Sequence, residues 1–471
     1  MNIRKWLILE GLIYILSVLL VPEFGLAGEK KVYTMDEAVK EALANNWRLK
    51  AKEERIQQAT YAKNQARAEF LPKLSTSYGY ARYGSLRTTD IQGQKYEVGS
   101  LNNYEWRGTI TQPLFTGFAL SSAYKLSELG IDQSNLEVEL EELDLALRVK
   151  EAYFNILTAD MAVETAQKAY EALESHAEVA RNFYQVGMIP INDLLQSEVE
   201  AGNAKHDLIK AQNDARLARS NFNAVLSRPV SAEVDVVDIK VHEPQVGDFQ
   251  EYLEKALKKR PEIKIIENNL LQTDQRIVYT QSKNYPEVAF RWDYIKEGDS
   301  PAVSGGSGLE PSNWEASVGL TWTFWEWGKT YYAVKEQESV KNELLKTKME
   351  VEENIELQIK DAVLNIQTAE ANIPITRKAV EQGEENLRVS QERYKAQVTT
   401  STEVLDAQRY LTSARVFHFN ALFQYHLATA NLQRAMGEFS IRDDHYRPGS
   451  GSAGLLSFVA ATHPHLIANG R

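Results

Sequence analysis

The same ordered series of landmarks occurs twice in this chain, and this duplication limits its fold more than any other feature. Asn46, at the end of an apolar-rich helical start, has its counterpart 214 positions later at Arg260, and Pro72 has its counterpart at Pro286, again 214 positions later. Each copy is too elongated to close a core alone, so two copies favour a pseudo-symmetric assembly. The 471 residues therefore predict one interwoven body rather than about three separate domains.

Composition excludes several classes of function. The formal net charge of -12 argues against non-specific binding of nucleic acid, which needs a basic face. The absence of cysteine removes disulfides, thiolate metal sites and cysteine nucleophiles. The sequence contains no nucleophile-base constellation and no strong metal-ligand motif. We therefore predict neither an enzyme nor a bound metal or cofactor.

The N-terminus has the pattern of a signal peptide. Arg4 and Lys5 precede an apolar stretch at 12–21, and small residues around Ala27 mark a cleavage site. A membrane anchor is the alternative, but the apolar stretch is well short of the roughly 20 residues that span a bilayer. We predict export with removal of residues 1–28. No later segment resembles a spanning helix, so membrane insertion would depend on β-strands.

Long stretches without glycine or proline predict long helices. Residues 131–186 form such a stretch in the first copy, as do 329–373 and 384–436 in the second. We predict that these helices pair as antiparallel hairpins over 121–228 and 329–437. Within the first hairpin, apolar residues recur with the spacing of a coiled-coil seam: Leu136, Leu140, Leu143, Leu147, Phe154, Leu157 and Met161.

A tight turn is predicted between the two helices of each hairpin. The first turn, at 186–190, contains Gly187 for a left-handed cap and Pro190 to begin the next helix. The second turn, at 396–400, contains neither residue, so its boundary is less well defined. Pro374 lies inside the first long helix of the second copy, where proline removes a backbone hydrogen bond at a cost of about 3 kcal/mol. We expect a kink or a break there.

Two segments with a period of two lie between the first helix and the helical hairpin of each copy. They predict β-hairpins over 72–115 and 286–325, in which each strand has one apolar and one polar face. The charges of Glu105, Arg107 and Asp293 fall on the polar face. Aromatic residues of the other set are typical of strands at a membrane interface: Tyr78, Tyr80, Trp106, Trp292, Trp314 and Trp322.

A half-buried sheet packed on the helices of a soluble protein would show the same alternation. Strands of roughly ten residues behind an export signal instead favour an outer-membrane barrel. Four strands cannot close around a lumen, so a barrel would need two or three chains. The hairpin loops at 84–103 and 297–312 are rich in glycine, serine and polar residues, which predicts exposure.

These elements divide the chain into five parts. The signal peptide is followed by a first structural repeat at 29–228, a linker at 229–247, a second repeat at 248–440 and a flexible tail at 441–471. Each repeat is predicted to contain a helix, a β-hairpin and a helical hairpin. The predicted fold class is α+β and mainly α.

This order of elements resembles the outer-membrane efflux factor family of TolC-like channels over about residues 34–440. The resemblance rests on the duplication and on three motifs, which are Phe70-Leu71-Pro72, Gln112-Pro113-Leu114-Phe115-Thr116-Gly117 and Tyr184-Gln185-Val186-Gly187. It implies a homotrimer with a twelve-stranded barrel in the outer-membrane lipid and a twelve-helix tube of about 100 Å in the periplasm. It also implies two protein partners, an inner-membrane transporter and a periplasmic adaptor.

The resemblance further implies a periplasmic gate just after the turn of the second helical hairpin. Position by position, the aromatic residue of the gate corresponds to Tyr394, its basic residue to Thr399 and its acids to Glu403 and Asp406. Thr399 departs from the family pattern because it carries no charge. A lock between helices through a positive charge at this position is therefore in doubt.

In the first copy, Tyr184 and Asp193 occupy the places that match Tyr394 and Glu403. Carboxylates from three chains would ring an aperture and favour cations over anions. The alternative is that these acids only complement the dipole in the first turn of a helix. The residues expected to contact an adaptor lie in the two turns: Val186, Gly187, Met188, Ile189, Gln397, Val398 and Thr399.

Two functions remain open from the sequence. The first is a passive exit duct, opened by a pump and its adaptor, for drugs, small toxic molecules or secreted polypeptides. The second is a periplasmic coiled-coil scaffold without a pore. The second copy alone contains Pro374, the glycine-free turn and the pair Glu403 and Asp406. We therefore expect the moving half of a gate in the second copy.

Overall fold

The computed structural model describes residues 31–238, 247–306 and 310–439, so the predicted signal peptide and tail lie outside the described residues. The first copy contains β1 (Lys31–Tyr33), α1 (Met35–Asn45), α2 (Trp47–Ala68), β2 (Lys73–Arg82), β3 (Arg87–Ile91), β4 (Gln94–Val98), β5 (Asn102–Phe115), α3 (Ala119–Gln185) and α4 (Ile191–Val225). The rest contains β6 (Val234–Val236), α5 (Phe249–Lys259), α6 (Pro261–Gln281), β7 (Glu287–Gly298), β8 (Asn313–Thr321), α7 (Lys329–Lys395) and α8 (Ser401–Ala435). The predicted α+β, mainly helical fold class is confirmed.

The duplication is visible in the backbone geometry. Helices α1 and α2 meet at Asn46, with φ -62° and ψ 126°, and α5 and α6 meet at Arg260, with φ -63° and ψ 127°. Each of these residues donates its N–H to the carbonyl of an alanine, Ala42 at 2.8 Å and Ala256 at 3.0 Å. Each copy therefore begins with two helices that meet at an extended residue, where the sequence predicts one short helix.

Four strands form one antiparallel sheet in the order β2-β5-β7-β8. Tyr78 pairs with Trp106, and Trp292 pairs with Ala316, so apolar and aromatic side chains of neighbouring strands share one face. On the opposite face, the hydroxyl of Thr109 donates to the carboxylate of Asp293 at 2.5 Å. The predicted two-faced strands are confirmed. Within the described part of the chain, β2 and β8 each keep one edge unpaired.

Two details of the hairpins differ from the sequence prediction. Strand β8 ends one residue before Trp322, whose indole N–H instead donates to the carbonyl of Asn284 at 3.1 Å. The loop at 84–103 contains a second hairpin, formed by β3 and β4. Gln92 and Gly93 both have left-handed backbones there, with φ 57° and 84°. Two consecutive left-handed residues make the turn that a short hairpin requires, which explains why strands form in this polar segment.

The predicted long helices are confirmed. Helices α3 and α7 each contain 67 residues, or about 100 Å, and α4 and α8 run back along them. Of the kink or break expected at Pro374, the break is wrong, since α7 continues through the proline. Just beyond the proline, the hydroxyl of Thr376 donates to the carbonyl of Asn372 at 2.8 Å. Among the described helices, none combines its length with enough apolar character to cross a membrane.

Burial along α3 differs from the predicted coiled-coil seam. The seam residues Leu143 and Phe154 are buried, but other side chains are buried more completely. Those others lie on a neighbouring face of the helix: Leu145, Val149, Tyr153 and Ile156. The reason is that α3 packs against α1, α2, α4, α6 and α8, so more than one of its faces is covered.

Two apolar clusters join the helical hairpins to the first helices of their copies. In the first cluster, Tyr33 of β1 and Tyr153 of α3 both pack edge-on against Phe222 of α4, with ring centroids 5.8 and 6.2 Å apart. Strand β1 pairs in parallel with β6, which lies within the predicted linker at 229–247. The second cluster joins α5, α7 and α8 around the buried Ile359. Each hairpin is thus anchored about midway along its long helix.

The two hairpin turns have the same backbone geometry although their sequences differ. Gly187 has φ 73° and Gln397 has φ 60°, so both lie in the left-handed region. In each turn, the next residue donates its N–H to a carbonyl five positions earlier, at 2.8 Å in the first turn and 2.9 Å in the second. This pattern ends both helices in the same way. Only the second turn places a side chain on a left-handed residue.

Replacing Gln397 by glycine is expected to raise the free energy of unfolding by about 1 kcal/mol, because glycine adopts a left-handed backbone without strain. The reverse change, Gly187→Gln, should lower it by a similar amount. A Cβ at Gly187 would meet no atom within 4 Å, so backbone strain alone should act. Urea unfolding followed by tryptophan fluorescence measures both variants. Unchanged stability of Gln397→Gly would contradict this account.

Candidate functional site

The predicted gate residues lie where the two helical hairpins end side by side. Tyr184 and Asp193 flank the turn between α3 and α4, and Tyr394 and Glu403 flank the turn between α7 and α8. Helices α3, α4 and α8 contact one another near these turns. The predicted residues of the two copies are therefore brought to one end of the molecule.

Tyr184 and Tyr394, which are equivalent in the duplication, differ in burial. The exposed fraction is 40% for Tyr184 and 3% for Tyr394. The ring of Tyr394 lies against those of His176 and Phe183 of α3, with centroids 4.7 and 5.7 Å away. Burial and the nearby charge of Asp193 raise the pKa of Tyr394. Tyr394 thus packs between the two hairpins of one chain.

His176 belongs to a buried polar cluster that the sequence does not indicate. Its Nε2 lies 2.7 Å from Oγ of Ser401, which lies 2.9 Å from Oγ of Ser197. The Ser197 hydroxyl donates to the carbonyl of Asp193 at 2.8 Å. Since each hydroxyl has one proton, Ser401 donates to Ser197, and His176 donates to Ser401 from Nε2. Burial lowers the pKa of His176 to about 4, so the ring is neutral at pH 7.

A cavity of about 130 Å³ lies between α3 and α7 beside this cluster. Its walls include the side chains of His176, Val179, Gln391, Tyr394 and Lys395. The hydroxyl of Tyr394 is buried and bonds to none of the described residues. The contact between the two hairpins is therefore incompletely packed at this point.

Arg393 supplies the positive charge that Thr399 lacks. Its Nη1 donates to one carboxylate oxygen of Glu403 at 2.6 Å, and the hydroxyl of Thr399 donates to the other oxygen. Both partners of the ion pair are substantially exposed, so the pair contributes at most about 1 kcal/mol. The pair joins α7 to α8 across the turn of a single hairpin.

Arg409 of α8 links the two hairpins through Glu200 of α4, and it also bonds to Asp406 of its own helix. Its Nη1 donates to Asp406 at 3.0 Å, and its Nη2 donates to Glu200 of α4 at 2.7 Å. Asp193 and Glu403 lie in the first turns of α4 and α8, so the helix dipole accounts for a negative charge at both. Asp406 lies beyond the first turn. Its charge is therefore explained by Arg409 rather than by the dipole.

Apolar side chains cover the ends of both hairpins. Of the seven residues predicted to contact an adaptor, five are exposed: Val186, Gly187, Met188, Gln397 and Val398. The other two, Ile189 and Thr399, are half-buried. The two turns therefore present a mainly aliphatic surface, with the charged residues of the site behind it.

Sequence reasoning missed three parts of this site. Arg409 could have been found, since it follows Asp406 by three residues and shares its helix face. Arg393 precedes Tyr394 directly, but its partner across the turn depends on the geometry of the hairpin. The His176 cluster gave no sequence signal, because His176 and Ser401 are 225 positions apart.

Comparison with known proteins places this arrangement in a family. Residues 38–227 and 252–438 match the family described as outer membrane efflux protein. The chain belongs to the outer membrane efflux protein family. The two matched segments follow the two copies seen in the structure, and the interruption between them contains β6.

The relatives agree with this assignment. The outer membrane protein TolC of Escherichia coli (strain K12) is 20% identical over 392 residues, which cover 81% of this chain and 77% of TolC. The CmeC outer membrane channel of Campylobacter jejuni has a TM-score of 0.72 at 17% identity, covering 88% of this chain and 90% of CmeC. VceC of Vibrio cholerae has a TM-score of 0.70 at 16% identity, covering 86% and 97%. These structural likenesses show a shared fold.

Membership of the family indicates where in the cell the protein lies. It is an outer-membrane protein, and its helical hairpins form a long periplasmic extension. The turns at Gly187 and Gln397 lie at the ends of these hairpins that are farthest from the four-stranded sheet. The site around Tyr394 is therefore at the periplasmic tip.

Removal of the Tyr394 hydroxyl is expected to be tolerated, because it forms no hydrogen bond with the described residues. Tyr394→Phe should leave the free energy of unfolding unchanged or raise it by about 1 kcal/mol. Tyr394→Ala removes a ring that is almost fully buried and should lower it by about 3 to 5 kcal/mol. Urea unfolding of the detergent-solubilised protein measures both. A large loss in Tyr394→Phe would contradict the assignment of Tyr394 as a packing residue.

Proposed function

We propose that this protein is the exit duct of a tripartite efflux system or a type I secretion system. As a homotrimer, it conducts substrates passively from an inner-membrane transporter and a periplasmic adaptor to the exterior. The observation that carries the proposal is a single chain in which a membrane sheet with two unpaired edges continues into two helical hairpins of about 100 Å.

The sheet supports assembly from several copies. Four strands cannot enclose a lumen, and β2 and β8 leave backbone groups that lipid cannot satisfy. If β8 of one copy pairs with β2 of the next, three copies form a closed sheet of twelve strands. The face that carries Trp314 then contacts lipid, and the face that carries Arg107, Arg291 and Asp293 lines the lumen.

The helices support the same assembly. Helix α4 has an exposed apolar stripe whose members fall on one face at 100° per residue: Ile191, Leu195, Val199, Ile209 and Leu217. Such a stripe is buried in a coiled coil when a second helix packs on it. A second copy of this chain is the partner that continues the twelve-helix tube. Four long helices from each of three copies would complete it.

The tips support binding of an adaptor. Val186, Met188 and Val398 are each more than half exposed at the end of the molecule farthest from the membrane. Exposed aliphatic side chains at a helical tip fit the apolar face of a partner helix. In the proposed assembly, three copies present six such turns in a ring. Adaptor proteins that meet these turns would hold the tips apart while the duct is open.

The acids near the turns support a cation-attracting aperture. Asp193 has no ion-pair partner among the described residues. Glu403 pairs with Arg393, and Asp406 pairs with Arg409. Each copy therefore contributes a small excess of negative charge at the tip. In a ring of three copies, this excess attracts cations and repels anions.

Conductance across a planar lipid bilayer tests the duct directly. The refolded protein is expected to form stable channels, and brominated lipids are expected to quench the fluorescence of Trp314. Trp47, exposed on α2 in the periplasmic part, is the control, because the quencher in the bilayer should not reach it. Absence of conductance together with water-accessible Trp314 would favour the alternative, a periplasmic scaffold without a pore.

Charge substitutions test the aperture. Asp406→Asn is expected to lower the preference of the channel for cations and its block by multivalent cations. Arg409→Gln removes the neighbouring positive charge and should raise both. One charge about 4 Å from an ion in water contributes about 1 kcal/mol, so a change of up to about fivefold is expected. Reversal potentials in a salt gradient measure the preference. Equal values for both variants would rule out this position as part of the aperture.

A further inference from the structure

One polar cluster near the tip takes a buried side chain from each of the four long helices. His176 comes from α3, Ser197 from α4, Tyr394 from α7 and Ser401 from α8. All four side chains are more than nine-tenths buried. Their contacts cross from the first hairpin to the second at three points, which are the hydrogen bonds of Ser401 with His176 and with Ser197 and the ring contact between His176 and Tyr394. His176 takes part in two of the three.

We propose that His176 is a positioning residue of the gate, which holds the second hairpin against the first until its ring gains a proton. This inference rests on the proposed function, because it assigns the contact that must loosen when the tips separate. His176 acts through its neighbours and does not itself line the aperture. It fixes α7 by packing against Tyr394, and it fixes α8 by donating to Ser401.

An exposed salt bridge also links the hairpins near the tip, and it is weaker than the buried contacts. Arg409 joins Asp406 to Glu200, but its side chain is 57% exposed, so water competes for the same hydrogen bonds. The hydrogen bonds of His176 and Ser401 lie in a buried, low-dielectric environment where each is electrostatically stronger. Separation of the hairpins must expose the buried cluster, whereas Arg409 can exchange its partners for water.

The surroundings of His176 disfavour a charged ring. From α7 it faces the phenol of Tyr394 and, across the cavity, Lys395. From α8 and α4 it faces the hydroxyls of Ser401 and Ser197. Ser175 of its own helix also lines the cavity. The nearest charge from α4 is that of Asp193, which acts on Tyr394. Among the described residues, no carboxylate bonds to the ring of His176, so an imidazolium here would lack an ion-pair partner.

The direction of the pH effect follows from this burial. The pKa of His176 is lowered to about 4, from 6.5 for a solvated ring. The packed arrangement therefore binds fewer protons than a separated one. It has its full stability above pH 6.5 and loses stability as the pH falls towards 4. Each pH unit in this interval should shift the equilibrium up to about tenfold towards separated hairpins.

The absence of cysteine allows this separation to be measured. Val186→Cys and Val398→Cys place one spin label on each tip, and dilution of the labelled chain with unlabelled chain isolates the distance within one copy. In lipid vesicles, the population with the longer distance is expected to grow as the pH falls from 7.5 to 4.5. His176→Gln retains a donor for Ser401 but does not titrate, so its distance distribution should stay unchanged over this range.

His206→Gln is the matched control, because His206 lies exposed on α4 and its loss should leave the pH response intact. If His176→Gln does not assemble, Ser401→Ala serves instead and should increase the separated population already at pH 7.5. The inference would be overturned if the distance still responded to pH in His176→Gln. It would also be overturned if the labelled protein that retains His176 showed no response. The distance measurement does not depend on ion flow. Its outcome is therefore independent of the conductance experiment that tests the duct.

Discussion

A strand edge in a bilayer has no water with which its backbone N–H and C=O groups can bond. In the sheet of this protein, the two inner strands β5 and β7 are paired on both sides. The two outer strands β2 and β8 each have one edge whose backbone groups are unpaired within the described residues. The arrangement of the long helices depends on the sheet. Each β-hairpin leads into one helical hairpin, so the number of helices below the membrane is set by the number of strands within it. In the proposed trimer, closure of the strands would therefore also close the ring of helices.

Equivalent residues of the two copies differ in burial where the copies meet at the tip. Tyr184 is exposed and its equivalent Tyr394 is buried. Ser401, which is fully buried in the cluster, has the exposed Ile191 as its equivalent. The second copy thus directs its tip residues inward against the first copy, while the first copy directs them outward. A duplicated chain can in this way make one contact within itself and a different one with its neighbours.

The sequence predicts the elements whose signal is local. The alternation in β5 and β7 and the absence of helix breakers over 131–186 locate these elements, although α3 begins earlier, at Ala119, and β7 continues to Gly298. Helix α2 was missed because only Leu49 along its length is buried, so it has no apolar stripe to reveal its period. The burial of Tyr394 could not be foreseen, since His176 and Tyr394 meet only through folding of both hairpins. The helix does not break at Pro374, because one missing hydrogen bond does not end a helix that is packed along α8 on both sides of the proline.

The two corners between sheet and long helix differ in how closely their glycines are packed. A Cβ on Gly117, before α3, would lie 2.5 Å from the backbone oxygen of Ser282, so this corner is wedged against a neighbouring segment. At Gly328, before α7, the nearest atom belongs to the side chain of Tyr332 at 3.4 Å. Each long helix is held again about midway along its length, so a rotation of 1° about that anchor moves its tip, roughly 50 Å away, by about 0.9 Å. The corner before α7 has more free space to accommodate such a rotation than the corner before α3.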